Sequence, residues 1–227
     1  MKRPIQAALL LAAAVAMYQV AMSAEGTKMP APSAGPARMI TPEEMAVETY
    51  NSGLSHRDKG KKFEQQLADA KESDRTKLEK KATDEFGKAL KDFKRAADLN
   101  PQLYQAYNGM GYSYRKLGDF TKALEYYDKA LAMAPGFPEA TEYRGEAYLA
   151  LNRVDDAKKA YLELLASDRN QAALLMTAMK GWVEKRRTDA AGVDPSTVSG
   201  LEAWILERSE AAKLTASMGV TGRSRGW

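Results

Sequence analysis

The sequence predicts an all-α fold, an α-solenoid of about three helix pairs with a long inserted helix in the first unit and capping helices at the C-terminus. Three observations carry the expectation. Ala89, Phe93, Ala96 and Pro101 are echoed 34 positions later by Ala123, Tyr127, Ala130 and Pro135, with type and spacing preserved. Gly111 and Tyr114 recur as Gly145 and Tyr148, and Ala123 and Tyr127 recur again as Ala157 and Tyr161. Phe63, Leu67, Ala70, Leu78, Ala82 and Phe86 then extend a narrow apolar stripe at helical spacing ahead of the echo.

The N-terminus opens with Lys2 and Arg3 and runs without a charge from Pro4 to Ala24, ending in small residues near Ala21, Ser23 and Ala24. A positive start, an apolar run and a small-residue site make residues 1–24 a secretory signal peptide, so the expected location is periplasmic or secreted. The alternative is an inner-membrane anchor over residues 4–24, since about 20 apolar residues span a bilayer. There is no cysteine, which excludes a lipoprotein anchor, disulfides and thiolate metal sites. Cleavage would take Lys2 and Arg3 from the 34 Lys+Arg that face 30 Asp+Glu, halving the basic excess. Acidic residues also interrupt every basic run over 57–98, so no nucleic-acid partner is expected.

Residues 25–41, with Pro30, Pro32 and Pro36 and no apolar period, read as a disordered linker. Thr41-Pro42-Glu43-Glu44 supplies a helix N-cap, a proline at the first helical position and acids at the positive end of the dipole. The unit at 42–101 places Tyr50-Asn51-Ser52-Gly53 on its first helix and Gly60 at its turn. Gly53 is followed by Ala89 far later than Gly111 is by Ala123, so about 24 residues are inserted. Neither proline nor a turn cluster breaks 60–99, which predicts one helix of about 38 residues, roughly 57 Å long. Arg75/Glu79, Lys80/Asp84 and Lys88/Asp92 lie four apart and support its solvated face, and Ser73-Asp74 is the weakest point.

Residues 102–169 hold two better-preserved units. Tyr104 to Tyr114 form a first helix, Gly118-Asp119 a turn, and Phe120 to Met133 a second helix stopped before Pro135. The next unit lacks the final proline and puts Arg144 in an apolar slot, which calls for a carboxylate partner or, failing that, a slight rotation of the helix. Residues 170–188 then present Leu175, Met179, Trp182 and Val183 on one side, as a capping helix does. Within 189–227, Val193-Asp194-Pro195 is a turn, a helix follows from about Val198 to Leu214, and Gly219 onward frays.

The period and its residues resemble the tetratricopeptide (TPR) repeat, specifically over 89–165 and more loosely on either side. The resemblance implies a non-catalytic module that binds a protein or peptide in a concave groove lined by the first helix of each pair. Carried over residue by residue, the solvent-facing groove positions are Tyr50, Asn51, Leu54 and Arg57, then Gln105, Asn108, Tyr112 and Arg115, then Glu139, Glu142, Tyr143 and Glu146. Tyr50, Leu54, Glu139 and Tyr143 stand where relatives that clamp a terminal carboxylate carry lysine, asparagine and arginine, so that clamp is not implied.

Asn51 and Asn108 can bond a ligand backbone, Tyr112 and Arg115 can take an acidic group, and the glutamates favour a basic stretch. No catalytic residue, cofactor or metal is expected: His56 is the one histidine, and phosphate cradles and nucleophile elbows are missing. Ser113-Tyr-Arg-Lys116 matches a short hydrolase pattern by chance, without its companions. The expected protein is therefore an adaptor of a bacterial envelope. The alternative is a homo-oligomeric structural protein joined through the long helix and the Trp204 helix.

Overall fold

The computed structural model describes residue 28 and residues 40–221, with side chains as far as Ala211. The expected signal peptide, most of the linker and the last residues of the tail lie outside that range. Among the described residues all regular structure is helical, and no helix is long and apolar enough to cross a membrane. The chain divides into two compact units, Met1–Phe137 and Pro138–Trp227.

In the first unit the helices are α1 (Pro42–Gln66), α2 (Glu72–Leu99), α3 (Tyr104–Lys116) and α4 (Phe120–Met133). The start of α1 is fixed by reciprocal capping. Thr41 Oγ1 accepts from the Glu44 amide at 3.2 Å, and Glu44 Oε2 accepts from the Thr41 amide at 3.0 Å. The turn expected at Gly60 is not there, and 60–99 is not a single helix. α1 runs on through Gly60 to Gln66, and α2 begins at Glu72, so the extra residues lengthen both arms of one hairpin. Ser73-Asp74 lies in the first turn of α2. Arg75 then reaches back across the turn and donates to the Leu67 carbonyl at 3.1 Å, adding to the bond that this acceptor takes from the Ala70 amide at 3.4 Å.

Gly60 is needed for proximity instead of for bending. A Cβ built there would stand 2.5 Å from the Phe86 ring on α2. Two turns earlier the same thing happens at Gly53, whose Cβ would meet Phe93 at 2.7 Å, and Gly109 of α3 faces that ring at 2.8 Å. Phe93, fully buried, is thus held between two bare backbones and joins three helices. Glycine inside a helix normally costs about 0.5–1 kcal/mol relative to alanine. Gly87→Ala, at an exposed helical site with nothing within 4 Å of the new methyl, is therefore expected to stabilise the unit by about that amount. Gly60→Ala is expected to do the reverse and cost about 1–3 kcal/mol through overpacking. Urea unfolding of the two variants side by side tests the opposite signs.

Two polar residues of α1 bond across to α2. Ser52 Oγ donates to Asp92 at 2.7 Å, and His56 Nδ1 lies 2.6 Å from Glu85 Oε2. Burial pushes the Glu85 carboxyl up, but hydrogen bonds from His56 and Lys88 outweigh it and hold the group below the usual carboxylate range. Arg75 and Lys88 find partners three residues back, Glu72 at 3.8 Å and Glu85 at 2.5 Å, in place of Glu79 and Asp92. Between α3 and α4, Gly118 takes the left-handed φ of +84° and Asp119 caps α4 by accepting from the Lys122 amide.

The second unit contains α5 (Pro138–Ala150), α6 (Val154–Ser167), α7 (Arg169–Thr188) and α8 (Pro195–Thr221). Asp168 ends α6 and, in the absence of a proline, caps α7 by accepting from the amides of Asn170 at 2.9 Å and Gln171 at 3.1 Å. Leu175, Met179, Trp182 and Val183 of α7 are buried and close over α5 and α6. Arg144 has its carboxylate, Glu163 on α6 at 3.5 Å, and lies 5.9 Å from the Tyr148 ring centre. α8 is tied back by Arg187 to Glu202 and by Trp204, whose ring meets Tyr161 edge-on at 5.3 Å. Asp194 caps α8 through the Ser196 amide, and bonds from the Ser196 side chain and amide hold its carboxyl low.

Candidate peptide-binding face

The first helix of each pair was expected to show its polar residues to solvent. In unit 1, Asn51, Arg57 and Arg115 are half-buried, while Gln105, Asn108 and Tyr112 are buried at 6, 9 and 4% exposure. Tyr50 and Leu54 are core. In unit 2, Tyr143 and Glu146 are half-buried and Glu139 and Glu142 are buried, against the expected solvated glutamate row. The reason is plain in α3. Glycines at 109 and 111 let it sink between α2 and α4, so residues 105, 106 and 108–113 are all enclosed. A repeat pattern reports which face a residue shares, and the depth of that face depends on how closely the neighbours approach.

Enclosure makes the polar atoms on α3 consequential. Gln105 Oε1 and Asn108 Oδ1 are both buried without a hydrogen-bond partner. A buried acceptor left in that state costs about 1–3 kcal/mol. Ser113, also fully buried, solves the same problem locally by donating to the Gly109 carbonyl at 2.9 Å.

One turn beyond Asn108 stands Tyr112, and its ring collects positive charge. Arg115 lies 5.2 Å from the ring centre, Lys116 5.8 Å and Arg57 of α1 6.0 Å. Phe86 closes the other side edge-on at 6.1 Å. Two carboxylates sit among these cations: Asp58 takes Arg57 at 2.8 Å, and Glu64 takes Lys116 at 2.6 Å. Arg115 Nε donates to the Tyr127 hydroxyl at 3.4 Å. The structure brings Arg57, Tyr112 and Arg115 together, with Lys116, Phe86 and Glu64 beside them. Lys116 lies two residues beyond Tyr114, where the sequence placed the end of the helix. Phe86 was legible as part of the apolar stripe ahead of the echo, whereas Glu64 belongs to the lengthened arm of α1, whose register the repeat does not supply.

This face can do two things chemically. The amide oxygens of Gln105 and Asn108 can accept from the N–H groups of an extended chain, and the cations around Tyr112 can receive an anionic group. Among the described residues no group of three or more His, Cys, Asp or Glu side chains is placed to hold a metal ion.

Comparison with known proteins agrees with the period. The tetratricopeptide repeat profile matches residues 79–138 and again 108–172. The Hsp70-Hsp90 organising protein of Plasmodium falciparum is 29% identical over 89 residues, covering 39% of this chain and 35% of that protein. The uncharacterized protein ycf37 of Guillardia theta is 31% identical over 88 residues, covering 37% of this chain and 49% of that one. The chain thus spans at most about half the length of these relatives. Among solved structures, the first TPR of Spaghetti (RPAP3), bound to the HSP90 peptide SRMEEVD, aligns at a TM-score of 0.41 and 21% identity, over 57% of this chain and 92% of that one. Residues 79–172 accordingly match the tetratricopeptide repeat, in keeping with the helix pairs found there.

Proposed function

We propose that the chain is a non-catalytic adaptor that binds a protein or peptide, and that unit 1 holds the ligand along α1 and α3. The observation that carries the reading is the pair of buried, unpartnered acceptors on α3, Gln105 Oε1 and Asn108 Oδ1, one turn from a tyrosine ringed by cations. An acceptor kept dry and unbonded is destabilising by itself, and a peptide N–H relieves it. Tyr112, Arg57 and Arg115 give the same ligand a place for an acidic side chain. A matched relative named as an organiser of two other proteins supports a protein partner. In unit 2, Glu139, Glu142, Tyr143 and Glu146 are the corresponding first-helix residues, with Glu146 and Tyr143 the more accessible of the four.

The proposed setting is the cell envelope, reached through cleavage of residues 1–24. The N-terminal residue of the protein purified from the periplasm tests this directly, and an intact Lys2-Arg3 start in the membrane fraction would favour the anchor. A self-assembling role has one observation in its favour, Leu206 on α8 at 61% exposure. It requires a mass that rises with concentration.

Crosslinking in the native envelope decides the site. The partner captured by the wild type is expected to be lost from an Asn108→Ala, Arg115→Glu double variant of unchanged thermal stability. Retention of the same partner would exclude the α1–α3 face.

A further inference from the structure

We infer that Glu64, carried on the inserted arm of α1, is a built-in competitor at the cation–aromatic end of this face, so that the face selects ligands whose own carboxylate can displace it. This rests on the peptide-binding reading above and specifies the ligand class and a residue that sets specificity.

Glu64 lies beyond Gly60 in the part of α1 that a standard repeat does not possess. Its carboxylate nevertheless reaches the last residue of α3, 52 positions away, and bonds Lys116 Nζ at 2.6 Å. That same ammonium is 5.8 Å from the ring centres of both Tyr112 and Phe86. The insert thus places a carboxylate next to the cations on Tyr112, where the proposed ligand needs one. The contact is half open to water, with Lys116 at 25% and Glu64 at 33% side-chain exposure. A pair this wet holds the fold only weakly and exchanges readily. Its electrostatic effect is larger than its structural one: it neutralises one of the three cations around Tyr112 and repels an approaching acid. Asp58 does the same for Arg57, but it is the adjacent residue and is 48% exposed, so that pair links no two helices. Glu64 instead holds a cation of a different helix, and its displacement frees that ammonium.

The test is binding of a fluorescein-labelled peptide of alternating Glu and Leu, and of its Lys-for-Glu counterpart, to the full mature chain by anisotropy at low and high salt. Glu64→Gln keeps size and removes charge. It is expected to tighten the acidic peptide roughly tenfold, weaken the basic one, and lose most of the gain at high salt. Glu72→Gln makes the same net-charge change at a site 97% exposed on the far arm, and is expected to leave both affinities within about twofold. In a Lys116→Gln background the Glu64→Gln gain should vanish, because the two residues act as a pair.

An acidic-peptide affinity that Glu64→Gln does not raise, or no measurable binding to either form, overturns the inference, as does an equal gain from Glu72→Gln. Loss of the native partner from the Asn108, Arg115 variant together with an inert Glu64→Gln would sink this inference alone. An acidic peptide that binds but is indifferent to Asn108 and Arg115 would instead sink the reading beneath it.

Discussion

Phe93→Ala is expected to destabilise unit 1 by about 3–5 kcal/mol, toward the top of the range for removing a buried aromatic. The cost of such a truncation depends on whether neighbours can collapse into the space. Here they cannot, because the ring is faced on α1 by Gly53 and on α3 by Gly109, which have no side chains to move. Tyr50, whose ring centre is 5.6 Å away, loses its aromatic partner as well. Since a whole domain is typically stable by about 5–15 kcal/mol, the variant should be close to unfolded at growth temperature. Urea unfolding followed by far-UV circular dichroism gives the number. A loss under about 1 kcal/mol would mean that the ring is not the junction of three helices.

Leu175→Ala should have the largest effect in unit 2, about 2–5 kcal/mol. Leu175 is fully buried on α7, and its methyls occupy the space in which a Cβ on Gly145 would stand 2.6 Å away. The pairing yields a stricter test than the single variant. Gly145→Ala alone should destabilise by overpacking, yet in the Leu175→Ala background it should restore part of the loss, since the new methyl enters the cavity and alanine suits the helix better. Strict additivity of the two changes would show that the residues do not share that space.

The comparison between sequence and structure separates two kinds of information. Period and residue type located the start of one repeat helix at Tyr104 and both ends of the next at Phe120 and Met133, because Asp119, Gly118 and the prolines act locally. They also called for a carboxylate beside Arg144, since a charge on an apolar face is untenable alone. Gly60 was misread for the opposite reason. A glycine that ends a helix and one that admits a ring from another helix are identical in sequence, and only Phe86 on α2 distinguishes them. The candidate face shows the same limit. The resemblance put Asn108, Tyr112 and Arg115 on one side, but the burial of Asn108 and Tyr112 depends on how closely α3 approaches its neighbours, and the arrival of Glu64 and Phe86 beside them on the register of the lengthened hairpin.

That hairpin also constrains how this protein can have diverged. Stepping outward along α1 from Gly53 to Gly60 is matched by stepping back along α2 from Phe93 to Phe86, each glycine meeting its ring. Residues gained or lost at the tip in equal number on the two arms leave every such meeting in place. A one-sided change inside either arm throws all the rings beyond it off their glycines at once. Descendants of this chain should therefore differ in arm length in balanced steps at the 67–71 turn, with Gly53, Gly60, Phe86 and Phe93 drifting little, and with Glu64 lost wherever the arm has shortened past it.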